Sequence, residues 1–293
     1  MEIIRTVSWM KQAARQARAE NHVIGMVPTM GALHDGHLSL LRRAKSECSK
    51  VFASIFVNPT QFGPNEDLSK YPRTFESDAA KLAAAGVDVL FAPDAREIYP
   101  AGFTTYVTVE RLSDRLEGRS RPGHFRGVAT VVLKLFEIAQ PHFAFFGRKD
   151  AQQSRILQRM LLDLNSDVEL VLCPIVREPD GLALSSRNAY LDPEERRAAT
   201  VLHRALQAAS REIAANISDA LTLQEAVREI LAQEKLARVD YVEVADADSF
   251  EPVARIAARP AYVLLAVFIG KTRLVDNLLI ESSPDSGDLI CSL

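Results

Sequence analysis

The chain has 293 residues, 47% of them hydrophobic and 25% charged, with a net charge of −3 and a pI near 6.1. These values suit a globular protein of one large domain or two smaller ones and argue against a broad basic surface for nucleic acid. The cysteines Cys48, Cys173 and Cys291 lack C-x-x-C or Cys/His spacing, Met1 to Thr6 carries no signal-peptide pattern, and no apolar run would span a bilayer, so no disulfide framework, zinc site or membrane association is expected and the location expected is cytoplasmic.

The first apolar run, Val23-Ile24-Gly25-Met26-Val27, predicts a buried strand over 22–29. It stops at Pro28, passes a small-residue turn at Gly31 and Ala32, and meets His34-x-Gly36-His37 where a helix over 38–47 begins. Strand, turn and helix N-terminus form a standard phosphate site, with free backbone N–H groups and the positive end of the helix dipole aimed at one spot. His34 and His37 are expected on one face of the first helical turn, with Gly36 letting a ligand approach the backbone. Imidazoles there can hydrogen-bond to a nucleotide phosphate as charge builds at phosphorus, and Thr29 and Met30 can add backbone contacts. The alternative is that one histidine caps the helix or packs while the other is solvated.

Strands are predicted over 50–57, 87–93, 142–147 and 167–175, separated by helices over 75–85, 128–139 and 151–164. Val-, Ile- and Phe-rich runs alternating with helices predict parallel strands covered on both faces, binding ligands at their carboxyl ends. The loops 58–65 and 119–127 at those ends are polar and rich in Pro and Gly. Gln61 lies in the first of them and Gln153 follows a strand-end loop; an amide both donates and accepts, which suits a hydroxy acid, although each alone reads as a surface residue. Gly147-Arg148-Lys149-Asp150 is a further strand-to-helix junction. Lys149 can neutralise a phosphate and Asp150 can bind a ribose hydroxyl; the plain alternatives are an exposed lysine and an N-cap.

The texture changes after Arg177. Helices are predicted over 193–216, started by Asp192-Pro193, and over 221–233; strands over 239–245, 261–269 and 273–279 read as a small antiparallel sheet. Leu184-Ser185-Ser186-Arg187-Asn188 offers two hydroxyls and a guanidinium for a polyphosphate, or else a polar turn with Asn188 as a C-cap. Gly270-Lys271-Thr272 is a hairpin loop rather than a P-loop, because Leu265 stands where the earlier glycine is required. The polar tail from Ser282 receives no role. The expected fold class is α/β, with a Rossmann-like parallel-sheet domain over 1–176 and a smaller α+β domain over 177–293.

His34-x-Gly36-His37 after a first parallel strand resembles the HxGH signature of the nucleotidyltransferase superfamily that includes class I aminoacyl-tRNA synthetases. Three segments are similar to the pantothenate synthetase (pantoate–β-alanine ligase) family: Pro28-Thr29-Met30-Gly31-Ala32-Leu33-His34, Phe56-Val57-Asn58-Pro59-Thr60-Gln61-Phe62 and Lys70-Tyr71-Pro72-Arg73. So are Arg121-Pro122-Gly123-His124-Phe125, Phe146-Gly147-x-Lys149-Asp150 with Gln152-Gln153, the Leu184 to Asn188 run, and Thr272-Arg273-Leu274-Val275-Asp276-Asn277. The matches run in order along nearly the whole chain. Departures are small: Arg148 and Ala151 stand where the family often has an acidic and an aromatic residue, and Leu184 where methionine is common.

The resemblance implies a reaction in two steps. The pantoate carboxylate attacks the α-phosphorus of ATP, giving pantoyl adenylate and pyrophosphate; the amine of β-alanine then attacks the activated carbonyl and releases AMP. It implies that Thr29, Met30, Gly31, Ala32, Leu33, His34, Asp35, Gly36 and His37 bind ATP, with Gly147, Arg148, Lys149, Asp150, Val176, Leu184, Ser185, Ser186 and Arg187 completing that site. His37, His34 and Lys149 are the implied catalytic residues, Gln61 contacts pantoate and β-alanine, and Gln153 contacts pantoate. The family's proton donor falls on His37, but a carboxylate nucleophile carries no proton to remove, so hydrogen bonding in the transition state is the simpler role. Mg²⁺ is expected with the ATP phosphates and without a dedicated protein cage. The resemblance further implies a homodimer through the first domain, a second domain acting as a lid that brings Ser185, Ser186 and Arg187 onto the phosphates, and Tyr71 and His124 near the substrates. The competing readings are a nucleotidyltransferase that leaves the nucleotide on its product and a non-catalytic nucleotide-binding protein.

Overall fold

The structure, a computed structural model, describes residues 1–64, 66–257, 259–283 and 289–293. They form two compact units, one of Met1–Arg148 with Gln152–Pro174 and one of Lys149–Ala151 with Ile175–Leu293.

The first unit alternates strands and helices. In chain order it holds β1 (Glu2–Ile4), α1 (Val7–Ala19), β2 (Ile24–Thr29), α2 (Asp35–Glu47), β3 (Lys50–Ile55) and α3 (Phe75–Ala84). It continues through β4 (Val89–Phe91), α4 (Ala95–Ile98), α5 (Glu117–Ser120), α6 (His124–Ala139), β5 (Phe143–Gly147), α7 (Ala151–Asp163) and β6 (Glu169–Cys173). The six strands pair in parallel in the order β1-β4-β3-β2-β5-β6, with Met26 opposite both Phe52 and Ala144. The chain therefore winds outward from β2 through β3 to β4, then crosses back to start the other half at β5. That reversal is the topological switch point at which open α/β sheets hold their ligands. The carboxyl ends of β3, β2 and β5 lie side by side there.

The core explains the pattern. Val27 of β2, Leu40, Leu41 and Ala44 of α2, Val51 and Ala53 of β3, Leu82 of α3, Leu90 of β4 and Phe145 of β5 are buried in one cluster. Burying a Leu, Val or Phe side chain fully is worth about 1.5–3 kcal/mol. α6 is covered along most of its length, including Phe125, Val128, Val131, Val132, Leu135 and Phe136. It begins at His124, earlier than the apolar run from Val128 indicates. α1 is an element the sequence pattern did not give. Its buried stripe is only Met10, Ala14 and Ala17 among charged neighbours, and Thr6 caps it by accepting from the Trp9 N–H.

The second unit contains α8 (Pro193–Ala198), α9 (Val201–Ala214), α10 (Ala220–Ala232), β7 (Ala237–Asp246), β8 (Ala261–Ile269), β9 (Thr272–Ser282) and β10 (Leu289–Ser292). The strands form an antiparallel sheet in the order β10-β9-β8-β7. Its core gathers Leu202, Leu206, Ile213, Leu223 and Val227 from the helices and Val263, Leu265, Leu274 and Leu278 from the strands. The fold class is thus α/β in the first unit and α+β in the second, as the pattern indicates.

Two expectations need correction here. The helix over 193–216 is two helices: Thr200 Oγ1 donates to the Arg197 carbonyl at 2.8 Å, and the Leu202 N–H bonds to the Ala199 carbonyl, so the chain tightens by a turn between them. The tail beyond Ser282 is not without a role. Residues 284–288 lie outside the described residues, but β10 pairs with β9, Cys291 opposite Ile280. Leu289, Cys291 and Leu293 pack on the second core, a period of two that marks a strand.

Candidate active site

The turn after β2 is built from inside. Gly31 and Ala32 both have positive φ, 84° and 51°, and a Cβ on Gly31 would come within 3.1 Å of Asp78 Oδ2. Asp78, buried in the first turn of α3, accepts from the Ala32 and Leu33 N–H groups at 2.8 Å each and from Thr74 Oγ1 at 2.9 Å. Thr29 Oγ1 donates to the Ser54 carbonyl at 2.7 Å and accepts from the Gly31 N–H, while Lys81 Nζ donates to the Leu33 carbonyl at 2.7 Å. The amides of Gly31, Ala32 and Leu33 are therefore engaged within the protein. This corrects the expectation of free backbone donors at this turn; the amides shape it rather than aim at a ligand.

His34 is the N-cap of α2 with extended backbone, φ −129° and ψ 175°, and not a member of its first turn. Its Nδ1 accepts from the Gly36 N–H at 3.2 Å, and His37 Nδ1 accepts from the His34 N–H at 3.4 Å, a capping box made of two imidazoles. The rings lie 4.1 Å apart, tilted by 42°. A neutral imidazole whose Nδ1 accepts carries its proton on Nε2. Capping and donating are thus compatible: a ring whose Nδ1 accepts from the backbone carries its N–H on Nε2. Asp35 begins the helix beside Gly36, as an acidic residue at a positive helix end should.

The end of β3 leads into the 3-10 turn Pro59–Gln61, capped by Asn58. Gln61 is buried; its Oε1 accepts from Asn58 Nδ2 at 3.0 Å and its Nε2 lies 3.2 Å from Met30 Sδ, which joins the β3 loop to the β2 turn. Asn58 was not singled out in sequence, yet its amide is oriented without ambiguity. Oδ1 accepts from Tyr99 OH at 2.8 Å and Thr60 Oγ1 at 2.9 Å, and Nδ2 also donates to the Gly127 carbonyl at 3.1 Å. A Cβ on Gly127 would fall 2.3 Å from the Thr60 carbonyl oxygen, so α6 can approach this loop only through a glycine.

His124, the first residue of α6, donates Nδ1–H to the Gln61 carbonyl at 2.8 Å, and its Nε2 accepts from Arg121 Nη1 at 3.1 Å. Burial, helped by the Arg121 charge, pushes its pKa down to about 4, which matches a neutral ring. Arg121 also grips Glu66 with two bonds, 2.9 and 2.6 Å. Burial works to raise the Glu66 pKa, but the bonds and charge of Arg121 outweigh it and leave it lowered. Tyr71 is buried, edge-on to Phe62 at 6.0 Å.

At the end of β5, Gly147 passes into a 3-10 turn Arg148–Asp150 and then α7. The Lys149 side chain is only 18% exposed, with Nζ 3.7 Å from Asp150 Oδ1, so it is not a plain surface lysine. Gln153 is half-buried in the first turn of α7. Its neighbour Gln152 serves structure: its Nε2 donates to the Leu112 and Arg115 carbonyls and its Oε1 accepts from the Glu117 N–H.

In the second unit the Leu184 N–H bonds to the Val176 carbonyl at 3.0 Å. Ser185 caps the 3-10 turn Ser186–Tyr190, which carries Arg187, by accepting from the Arg187 N–H at 3.3 Å. Asn188 donates to the Ala183 carbonyl at 3.1 Å from within that turn, so it is not a C-cap. Asn277 donates to the Lys149 carbonyl at 2.8 Å. Among the described residues no group of three or more His, Cys, Asp or Glu is arranged to hold a metal ion, and no helix is long and apolar enough to cross a membrane.

Comparison with known proteins follows the same lines. A family model described as pantoate-beta-alanine ligase matches residues 2–279. A pantothenate synthetase of Pelotomaculum thermopropionicum is 54% identical, covering 96% of this chain and 99% of that protein. The solved pantothenate synthetase of Thermus thermophilus aligns with a TM-score of 0.89 at 45% identity, covering 94% of this chain and 98% of that one. The solved pantoate-beta-alanine ligase of Francisella tularensis, in complex with beta-gamma ATP and beta-alanine, aligns with a TM-score of 0.78 at 36% identity, covering 94% and 97%.

Proposed function

The chain belongs to the pantoate–β-alanine ligase family, and from that premise we propose how its own residues carry the family's reaction. The enzyme condenses (R)-pantoate with β-alanine at the expense of ATP, through pantoyl adenylate, releasing pyrophosphate and AMP. A carboxylate is a poor acylating agent. In the first step a carboxylate oxygen bonds to the α-phosphorus and the bond to pyrophosphate breaks. In the second the neutral amine of β-alanine bonds to the acyl carbon, the bond to AMP breaks, and the proton leaves to solvent.

Imidazoles whose Nδ1 atoms accept from the backbone carry their N–H on Nε2, a donor that suits the equatorial oxygens of the α-phosphate as negative charge builds there. We assign His37 this role with His34 beside it, rather than proton transfer, since the nucleophile has no proton to give up. The turn Thr29, Met30, Gly31, Ala32 and Leu33, with Asp35 and Gly36, forms the wall against the nucleotide, its shape held by Asp78. Gly147, Arg148, Lys149, Asp150, Val176, Leu184, Ser185, Ser186 and Arg187 bind the rest of ATP, with Lys149 neutralising phosphate charge. Because Asn58 occupies its Oε1, Gln61 presents its NH₂ to an acceptor oxygen of pantoate and to the β-alanine carboxylate; Gln153 also contacts pantoate. Imidazole, ammonium and guanidinium groups suit phosphates that arrive already carrying Mg²⁺, so the ion enters as part of the MgATP substrate. The family resemblance further supports a homodimer through the first unit and a cytoplasmic enzyme, which sedimentation and cell fractionation would test.

The observation that carries this reading is the meeting of the β2 turn with Gln61, 3.2 Å from Met30, at the switch point of the sheet. Pyrophosphate formation with ATP and pantoate alone tests it. The expected result is a burst of pyrophosphate without β-alanine and AMP release only when β-alanine is added. ADP and phosphate as products would overturn it.

A further inference from the structure

Lys149, Asp150 and Ala151 group with the second unit, while the chain on either side groups with the first. A bond across 128 residues of sequence ties them there: Asn277 Nδ2 donates to the Lys149 carbonyl at 2.8 Å. Asn277 lies in β9 and is 1% exposed. Successive strand residues face opposite sides. Asp276 therefore shares its side with Leu274, Leu278 and Ile280 of the second core, and Asn277 faces the other.

Asp276 is itself engaged twice. Arg177 grips its carboxylate with Nη1 at 2.7 Å and Nη2 at 3.0 Å, and its Oδ1 accepts from the Asn277 N–H at 2.8 Å. Arg177 Nη1 also donates to the Gly181 carbonyl at 3.1 Å. The result is a buried series of bonds from Arg177 through Asp276 and Asn277 to the backbone of Lys149. Buried ion pairs and amides of this kind often add little net stability, because taking them out of water offsets most of what their bonds contribute. What such a series does supply is a fixed position for the group at its end.

We propose that Asn277 is a positioning residue for the ATP-dependent step. It holds the short turn at Lys149 so that the flexible lysine stem starts from a fixed backbone and its ammonium meets the nucleotide phosphates reproducibly, while Arg177 and Asp276 keep Asn277 in place. The inference rests on the reading of Lys149 as a phosphate ligand. It gives a role in the reaction to the segment from Thr272 to Asn277, which no step of the chemistry otherwise uses.

A double-mutant cycle tests it in the full-length enzyme, read as kcat/KM for ATP in pantoate-dependent pyrophosphate formation. Asn277→Asp keeps the shape but replaces the donor by an oxygen facing a carbonyl. It is expected to lower kcat/KM for ATP about 10-fold, the scale of one lost hydrogen bond, while the KM for β-alanine in the second step stays put. In a Lys149→Ala background the same substitution is expected to change the rate by less than about twofold, because its route of action is gone. If Asn277→Asp does not fold, as judged by circular dichroism, Asn277→Ser carries the same cycle. A full 10-fold loss on top of Lys149→Ala, or a wild-type ATP step in the folded Asn277 variant, overturns the positioning role alone. A wild-type ATP step in Lys149→Ala overturns the phosphate-ligand reading, and the positioning role with it.

Discussion

Asp78 holds the turn that leads to His34 from 46 residues away: its Oδ2 accepts from the Ala32 N–H and its Oδ1 from the Leu33 N–H, both at 2.8 Å. Removing the carboxylate leaves two amides of a shielded turn without partners, at about 1–3 kcal/mol each. Asp78→Ala is expected to lose roughly 2–5 kcal/mol of stability in denaturant unfolding and to raise the KM for ATP. An Asp78→Ala protein as stable as wild type would mean that the turn holds itself.

The imidazole pair gives the second expectation. His37→Ala should slow the first step by about 2–4 kcal/mol in barrier, measured as single-turnover pyrophosphate release, as loss of one charge-stabilising donor does. A change below about threefold would remove His37 from that role. Because each Nδ1 also accepts from the backbone at the start of α2, some loss of helix capping should accompany it, about 1 kcal/mol in thermal unfolding.

His124 makes stability depend on pH with a definite sign. Its ring is neutral when folded, with a pKa of about 4 against 6.5 when unfolded, so the unfolded chain binds the extra proton. Its contribution is fully present above pH 6.5 and is lost as pH falls toward 4, amounting to about 3 kcal/mol at the lower end. Asn at this place keeps a donor for the Gln61 carbonyl and removes the titration. The stability difference between His124→Asn and the parent is therefore expected to shift toward the variant as pH falls from 6.5 to 4, read from urea midpoints. Parallel curves would contradict the assignment.

Gly127 tests the packing that sets Gln61. The Cβ of Gly127→Ala would meet the Thr60 carbonyl at 2.3 Å, so the loop must move. The expected cost is about 1–3 kcal/mol of stability. The KM for pantoate should rise while that for ATP changes less; the reverse order would detach Gln61 from pantoate.

Much of this was legible in sequence, and the gaps have physical causes. The β2 to α2 junction was readable because Pro28, Gly31, Gly36 and the two histidines each carry a local signal, and the apolar strands because burial on both faces leaves unbroken runs. β1 is a three-residue edge strand and α1 buries only Met10, Ala14 and Ala17, too little pattern to read. Asp78 looks in sequence like any acidic residue at a helix start; only the fold brings it under the turn. The same holds for Asn58, whose amide orientation depends on Tyr99, 41 residues on. The amides assumed free at the turn were not free because a partner distant in sequence had taken them. β10 gives no readable signal because a polar stretch separates its four residues from β9.

Central to the account is attack by the pantoate carboxylate on the α-phosphorus of ATP at the His34–His37 turn. The most direct measurement uses pantoate labelled with ¹⁸O in its carboxylate, with ATP and β-alanine, and mass analysis of the products. Label appearing in AMP, carried over by the oxygen that bridged acyl carbon and phosphorus, is the expected result. Label in inorganic phosphate, with AMP unlabelled, would contradict it.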